Sequence, residues 1–177
     1  DVLGSRGLGD VYKRQVLAIK PEMQSGSLLY TEEKRIPAVE FSNVSLTYKN
    51  AGAPSLSNIS FRAMPGETIG IIGGTGAGKS SIVNMIPRFY DASEGEVKVF
   101  GHDVREYEIE SLRSHIGVVP QKAVLFKGTV AENLRWGDEN ASEQTLEEAL
   151  EISQAKEFVD SKPGKLEFMI EQNLSLI

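Results

Sequence analysis

The sequence predicts an α/β fold built around a phosphate-binding loop. Three observations predict it. Gly73-Gly74-Thr75-Gly76-Ala77-Gly78-Lys79-Ser80 fits the pattern G-x-x-x-x-G-K-[ST] without a gap. Apolar Ile69, Ile71 and Ile72 lead into it as a buried strand would, and Ser81-Ile82-Val83-Asn84-Met85-Ile86 leave it as a helix would. Upstream, two segments alternate apolar and polar residues in the manner of half-buried strands. Together these describe a P-loop NTPase fold.

The elements are expected in the following order. Val39 to Tyr48 alternates well enough for a strand, and Lys49 to Pro54 forms a turn. Leu56 to Ala63 is a second strand, with Leu56, Ile59 and Phe61 as its apolar members. Pro65-Gly66 turns the chain, and Thr68 to Ile72 is the strand that feeds the loop. Asp91 to Gly95 is a polar turn, Glu96 to Phe100 a strand stopped by Gly101, and Glu108 to His115 a short helix. Ile116 to Val119 reads as a short buried strand ended by Pro120. Thr129-Val130-Ala131-Glu132 has the form of a capping box, so a helix begins there and runs to about Trp136. Ser142 caps a further helix whose Leu146, Ala149 and Leu150 share one face.

The loop carries the chemistry. Glycines let the backbone turn tightly and aim its N–H groups at a phosphate chain. The helix that starts at the same place adds its positive dipole end to the anion site. Lys79 reaches the β- and γ-phosphates in such a loop, and the Ser80 hydroxyl ligates Mg²⁺. The plain alternative is a flexible glycine-rich turn without a ligand.

Composition narrows the partners. The 177 residues carry 40% hydrophobic and 25% charged side chains, as in a soluble globular domain. A net charge of −6 argues against a general nucleic-acid binder, which needs a basic face. A phosphate loop makes its own local positive field, so a nucleotide remains compatible with that charge. The absence of cysteine excludes disulfides, thiolate metal sites and thiol catalysis. No apolar run approaches the length of a membrane span.

Tyr48, the phosphate loop, and then Val118-Val119-Pro120-Gln121-Lys122-Ala123-Val124-Leu125-Phe126 resemble the nucleotide-binding domain of an ATP-binding-cassette (ABC) transporter. Leu125 to Leu134 resembles the exporter branch, in which ATPase and membrane domains share one polypeptide. The resemblance covers residues 38–173 as a partial ATP-binding domain and implies an N-terminal antiparallel β subdomain plus a partial parallel-sheet core, and 16–37 is similar to the linker that follows the last membrane helix. Residues 1–15, ending Asp10-Val11-Tyr12-Lys13-Arg14-Gln15, resemble translated adapter sequence, as do 174–177.

The resemblance implies that Tyr48 stacks on adenine and that Ser81 contacts the α-phosphate. It implies that Gly73, Gly74, Thr75, Gly76, Ala77, Gly78, Lys79 and Ser80 cradle the phosphates of ATP. Lys79 and Gln121 would serve the catalytic centre, and Ser80 and Gln121 would join the Mg²⁺ shell. Gln121 has no titratable carboxylate and cannot be a general base. The implied partners are a second nucleotide-binding domain, in a homo- or heterodimer, and a transmembrane domain of the same polypeptide, at the cytoplasmic face of the cell membrane. The family's Leu-Ser-Gly-Gly-Gln signature is expected shortly after Asn173, and neither it nor the Asp-Glu strand end nor the switch histidine occurs in the 177 residues. The fragment is therefore expected to lack turnover, to be poorly stable, and to leave the Thr68–Ile72 and Ile116–Val119 strands with unpaired edges. Glu167, Glu171, His102 and His115 are not assigned to catalysis.

Three other readings compete. A nucleotide kinase or GTPase usually places this loop directly after its first strand, whereas here two strands and an aromatic residue precede it. A soluble cassette ATPase acting in DNA repair or translation shares the same motifs. The plainest reading is a chain that binds nucleotide and does nothing more.

Overall fold

The computed structural model describes residues 23–33, 35–122 and 124–171. It divides into two units, Asp1–Gly117 and Val118–Ile177, which are described separately. The expectations for residues 1–15 and 174–177 lie outside the described residues, as do parts of those for 16–37 and 38–173.

The first unit is built on a four-stranded antiparallel sheet in the order β2-β1-β3-β4. Strand β1 spans Val39–Leu46, β2 Leu56–Ala63, β3 Glu94–Val99 and β4 His102–Asp103. Strand β1 lies between β2 and β3 and sets the register of both. Simple alternation from Phe41 would point Asn43 and Ser45 inward, because side chains change face at every residue. The pairing instead advances from Phe41↔Phe61 to Val44↔Ile59, three residues on β1 against two on β2. Asn43 takes φ 50° at this bulge, a left-handed conformation that Asn tolerates better than most side chains. Val44 and Leu46 thereby join Phe41 on the buried face. A matching irregularity on β2 falls at Asn58, φ 52°.

Between β3 and β4, Phe100 and Gly101 form a two-residue turn with φ of 43° and 81°. Both values are positive, as a type I′ hairpin requires. Gly101 suits this turn, and Phe100 is held there by its burial. Helix α1 (Lys79–Met85) contributes Ile82 and Met85 to a core that also holds Phe41, Val44, Leu46, Leu56, Val97, Val99, Val104, Tyr107 and Leu112. Leu112 comes from helix α2 (Ile109–Arg113). Tyr107 is fully buried and its hydroxyl donates to Val99 O at 2.7 Å, which satisfies a polar group inside an apolar cluster.

The described part of the 16–37 segment lies along this unit. Gly26 N donates to Tyr107 O (2.9 Å), Leu28 N to Glu106 O (3.0 Å) and Glu108 N to Leu28 O (2.8 Å). Arg88, itself almost fully buried, donates to Gln24 O at 2.9 Å and pairs with Asp91 at 2.7 Å.

The second unit holds β5 (Gly128–Thr129) paired with β6 (Met169–Ile170), and the helices α3 (Val130–Leu134), α4 (Glu143–Ile152) and α5 (Lys156–Asp160). The expected capping box is present with both bonds: Glu132 N donates to Thr129 Oγ1 (3.0 Å) and Thr129 N to Glu132 Oε2 (2.7 Å). Ser142 caps α4 through Thr145 N. Leu146 and Leu150 are buried as expected, but Ala149 is exposed.

Two expected strands are corrected. Neither Thr68–Ile72 nor Ile116–Val119 has a ladder partner among the described residues, so neither forms a strand. A strand is defined by its neighbour, and a run of apolar residues alone cannot supply one. The expected parallel core is thus without a paired ladder, and Ile72 and Val119 stand almost fully exposed, at 98% and 96%. The only parallel pairing among the described residues is the isolated bridge Leu28↔Tyr107.

Asp103 ties acid behaviour to this fold. Burial pushes its carboxyl upward, but hydrogen bonds from the Arg105 side chain and backbone, with the charges of Arg105 and Arg88, outweigh burial and hold it below the ordinary range. A carboxylate depressed on folding stabilises above its unfolded value, near pH 4, and loses that contribution as pH falls through the folded value. Asp103→Asn should therefore lower the thermal midpoint at pH 7 and flatten its decline in the window below about pH 4. A variant whose midpoint falls in parallel with the parent across that window would contradict the assignment.

Candidate functional site

The loop between Gly73 and Ser81 is shaped by two left-handed glycines, Gly76 at φ 82° and Gly78 at φ 83°. Gly78 is the N-cap of α1, and Ile82 N donates to its carbonyl at 3.1 Å, so the helix begins where the loop ends. A Cβ on Gly78 would meet Ser55 O at 2.9 Å and Leu56 Cδ2 at 2.5 Å. Conformation and space therefore both require glycine there. Ala77 N donates to Gly74 O at 3.2 Å, closing a turn over the loop.

Lys79 bends back over this turn. Its Nζ donates to Gly73 O (2.8 Å) and Gly74 O (2.7 Å). An ammonium has three N–H donors, so one remains for an anion beside the loop. The Ser80 side chain is exposed, whereas Ser81 is buried and its hydroxyl exchanges a 2.8 Å hydrogen bond with the Tyr48 hydroxyl. Tyr48 is half-buried, and its ring meets that of Tyr90 edge to face, with centroids 4.9 Å apart at 86°.

Tyr48, Ser55, Gly76, Ala77, Gly78, Lys79, Ser80 and Ser81 line one cleft of about 260 Å³. Seven of these eight residues are among the sequence candidates. Gly73 and Gly74 belong to the same loop and are fixed through Lys79, and Thr75 is exposed at its tip. Gln121 belongs to the second unit, where it is exposed in a bend. Ser55 and Tyr90 carry no motif; each reaches the site through a tertiary contact that sequence spacing does not reveal. His115 is occupied by stacking on Tyr30 (4.1 Å) and by Ser111 O at 2.8 Å from its Nδ1. Glu167 sits in a short 3₁₀ turn and Glu171 is exposed.

The cleft is chemically suited to a phosphate chain, with loop amides, one ammonium and four hydroxyls and no carboxylate among its lining residues. Among the described residues no cluster of three or more His, Asp or Glu is arranged to hold a metal ion. The exposed Ser80 hydroxyl fits Mg²⁺ delivered with a nucleotide, since that ion keeps waters and phosphate oxygens and needs few protein ligands. A larger cleft of about 490 Å³ in the second unit is lined by Glu132, Arg135, Trp136 and Glu139. Its two carboxylates and single guanidinium give no comparable anion seat.

Comparison with known proteins agrees with this chemistry. The family described as "ABC transporter" matches residues 56–175. The chain is 35% identical over 156 residues to an ATP-dependent lipid A-core flippase of Vibrio vulnificus, covering 88% of this chain and 26% of that protein. It is 39% identical over 142 residues to the flippase of the same name from Escherichia coli, covering 80% and 24%. An uncharacterized ABC transporter ATP-binding protein of Mycobacterium tuberculosis is 48% identical over 126 residues, covering 70% and 22%. The chain thus spans about a quarter of the length of the curated relatives it matches. Among solved structures, a bacterial Atm1-family ABC exporter with ATP bound aligns with a TM-score of 0.80 at 28% identity, over 93% of this chain and 29% of that one.

The hydroxyl pair at the floor of the cleft is open to a double-mutant cycle. Tyr48→Phe and Ser81→Ala each remove one partner of the 2.8 Å bond, so each should cost about 1 kcal/mol in urea unfolding, and the double variant less than the sum by about 0.5–1.5 kcal/mol. Strict additivity would mean that the two hydroxyls do not interact.

Proposed function

The chain belongs to the ABC transporter family, and from that premise we propose that it is the ATP-binding part of an exporter that couples ATP binding and hydrolysis to movement of a substrate across a membrane. The observation that carries this reading is the loop itself: left-handed Gly76 and Gly78, the start of α1, and Lys79 gathered around one cleft with Tyr48 at its side. The names of the relatives support the exporter branch.

In this reading ATP enters with Mg²⁺. Adenine stacks on Tyr48, an interaction worth about 1–3 kcal/mol where bases stack on aromatic side chains. The amides from Gly73 to Ser81 hold the phosphates, with Thr75 and Ala77 contributing backbone only. Lys79 gives its remaining N–H to the β- and γ-phosphates, Ser80 holds the metal, and Ser81 reaches the α-phosphate by giving up or sharing its bond to Tyr48. Gln121 keeps the role that the family resemblance implies for it, joining the Mg²⁺ shell or holding a water. Phosphoryl transfer to water rests on positioning and charge stabilisation. No residue of this chain is assigned to polarise the attacking water, so the chain alone binds nucleotide without turning it over.

The parent protein works as a pair of such domains, identical or not, each joined to a transmembrane domain of its own polypeptide at the cytoplasmic face. Closing the pair on ATP and reopening it after hydrolysis moves the membrane helices. Among the described residues no helix is long and apolar enough to cross a membrane. Residues 16–37 serve as the connection to the membrane domain, 38–173 as the ATP-binding domain, and 1–15 and 174–177 as adapter-derived ends.

Lys79→Ala tests the site. Titration calorimetry should show MgATP binding weakened at least tenfold, because a charge-assisted contact to phosphate is worth about 1.5–3 kcal/mol. Equal affinity in the parent and the variant would mean that the loop is not the nucleotide site.

A further inference from the structure

Tyr90 has no role in any motif and is exposed, yet its ring packs against Tyr48 beside the cleft. It follows α1 in the segment Pro87–Asp91, whose backbone is fixed from several sides. Arg113 donates to Pro87 O (2.9 Å) and Arg88 O (2.7 Å), and its guanidinium lies 5.0 Å from the centre of the Phe89 ring. Phe89 N donates to Asn84 O at 2.9 Å, and Arg88 pairs with Asp91. Just beyond, Ser93 ties this segment to the end of β1: its N–H donates to Ser45 O and its hydroxyl accepts from Thr47 N, both at 2.9 Å. Tyr48 follows directly after Thr47. The two tyrosines are therefore carried by neighbouring, mutually bonded backbone segments, and their rings meet at 86° with centroids 4.9 Å apart.

We propose that Tyr90 is a positioning residue for base recognition, its ring holding that of Tyr48 in the plane on which the purine of a bound nucleotide stacks. The inference rests on the nucleotide-site reading given above. Tyr48 is fixed at its far end by the hydrogen bond to Ser81. That bond alone leaves the ring free to rotate about its long axis, and a perpendicular neighbour removes this freedom. Edge-to-face packing is a preferred arrangement of aromatic quadrupoles, so the contact selects an orientation as well as filling space. Tyr90 is not among the residues lining the cleft, so it acts through Tyr48 and not on the phosphates. A ring ordered in advance spares the ligand the cost of ordering it.

The contact requires a ring and no hydroxyl, and it concerns the base and not the phosphates. MgATP and magnesium tripolyphosphate share the phosphate chain and differ in the base, so calorimetric titration of this chain with both separates the two contributions. Tyr90→Leu should weaken MgATP binding about three- to tenfold and leave tripolyphosphate unchanged. Tyr90→Phe should restore the parent's affinity for MgATP. The inference is overturned if Tyr90→Leu binds MgATP like the parent, if it loses both ligands equally, or if Tyr90→Phe fails to rescue. Thermal melts accompany each variant, and a Tyr90→Phe variant that melts like the parent but binds like Tyr90→Leu counts as failed rescue. A parent chain that binds MgATP no better than Lys79→Ala sinks the nucleotide-site reading itself and this inference with it. A Lys79-dependent parent with indifferent Tyr90 variants sinks this inference alone.

Discussion

The approach of Gly78 to the backbone of Ser55 is the constraint on which the first unit turns. A loop of amides is useful only if it stays open, and here it is seated against the first residues of the second strand. Ser55 N in turn donates to Leu46 O at 2.7 Å, so the seat is part of the antiparallel sheet. From that point the chain enters α1, whose Ile82 and Met85 reach into the same apolar cluster as Phe41, Val44 and Leu46. The sheet therefore acts as a foundation, and the anion-binding backbone is the part of the molecule that could not be moved without disturbing it.

Charge is distributed to match. The chain as a whole is acidic, at −6, yet the cleft has a lysine and helix-end amides and no carboxylate on its lining. The buried Arg88 and the partly buried Arg113 spend their donors on backbone carbonyls and on Asp91. They hold the polypeptide together and add little to a field aimed at a ligand. Lys79 also bonds main-chain carbonyls, but those belong to the loop itself. Local geometry, more than net charge, makes the anion site.

Much of this was legible in the residues, for identifiable reasons. The phosphate loop is a local pattern, and the structure brings six of the nine positions from Gly73 to Ser81, namely Gly76 to Ser81, to one cleft with Tyr48. The second strand was read with its observed limits, Leu56–Ala63, and the capping box at Thr129 formed with both its bonds. These features depend on neighbours a few positions away. What escaped depends on distant ones. Thr68–Ile72 and Ile116–Val119 have the composition of strands, and their unpaired edges and exposed Ile72 and Val119 agree with the sequence reading, but without a second segment among the described residues neither becomes a strand at all. Ser55 and Tyr90 have ordinary local sequences and acquire meaning only where the fold sets them against Gly78 and Tyr48. The docking of Gly26–Leu28 along Glu106–Glu108 is likewise invisible in a stretch whose Pro, Ser and Gly content reads as a connector.

The kink at Asn43 has a consequence for how this strand can change over time. Its extra residue converts a spacing of three, from Phe41 to Val44, into a return to the same face. Losing that one extra position would restore simple alternation, with Phe41 and Val44 two apart and still on one face, whereas losing both Ser42 and Asn43 would make them neighbours and turn every later side chain of the strand inside out. Homologous strands one residue shorter at this point should therefore lack the asparagine and keep the same pattern of oily and polar letters downstream.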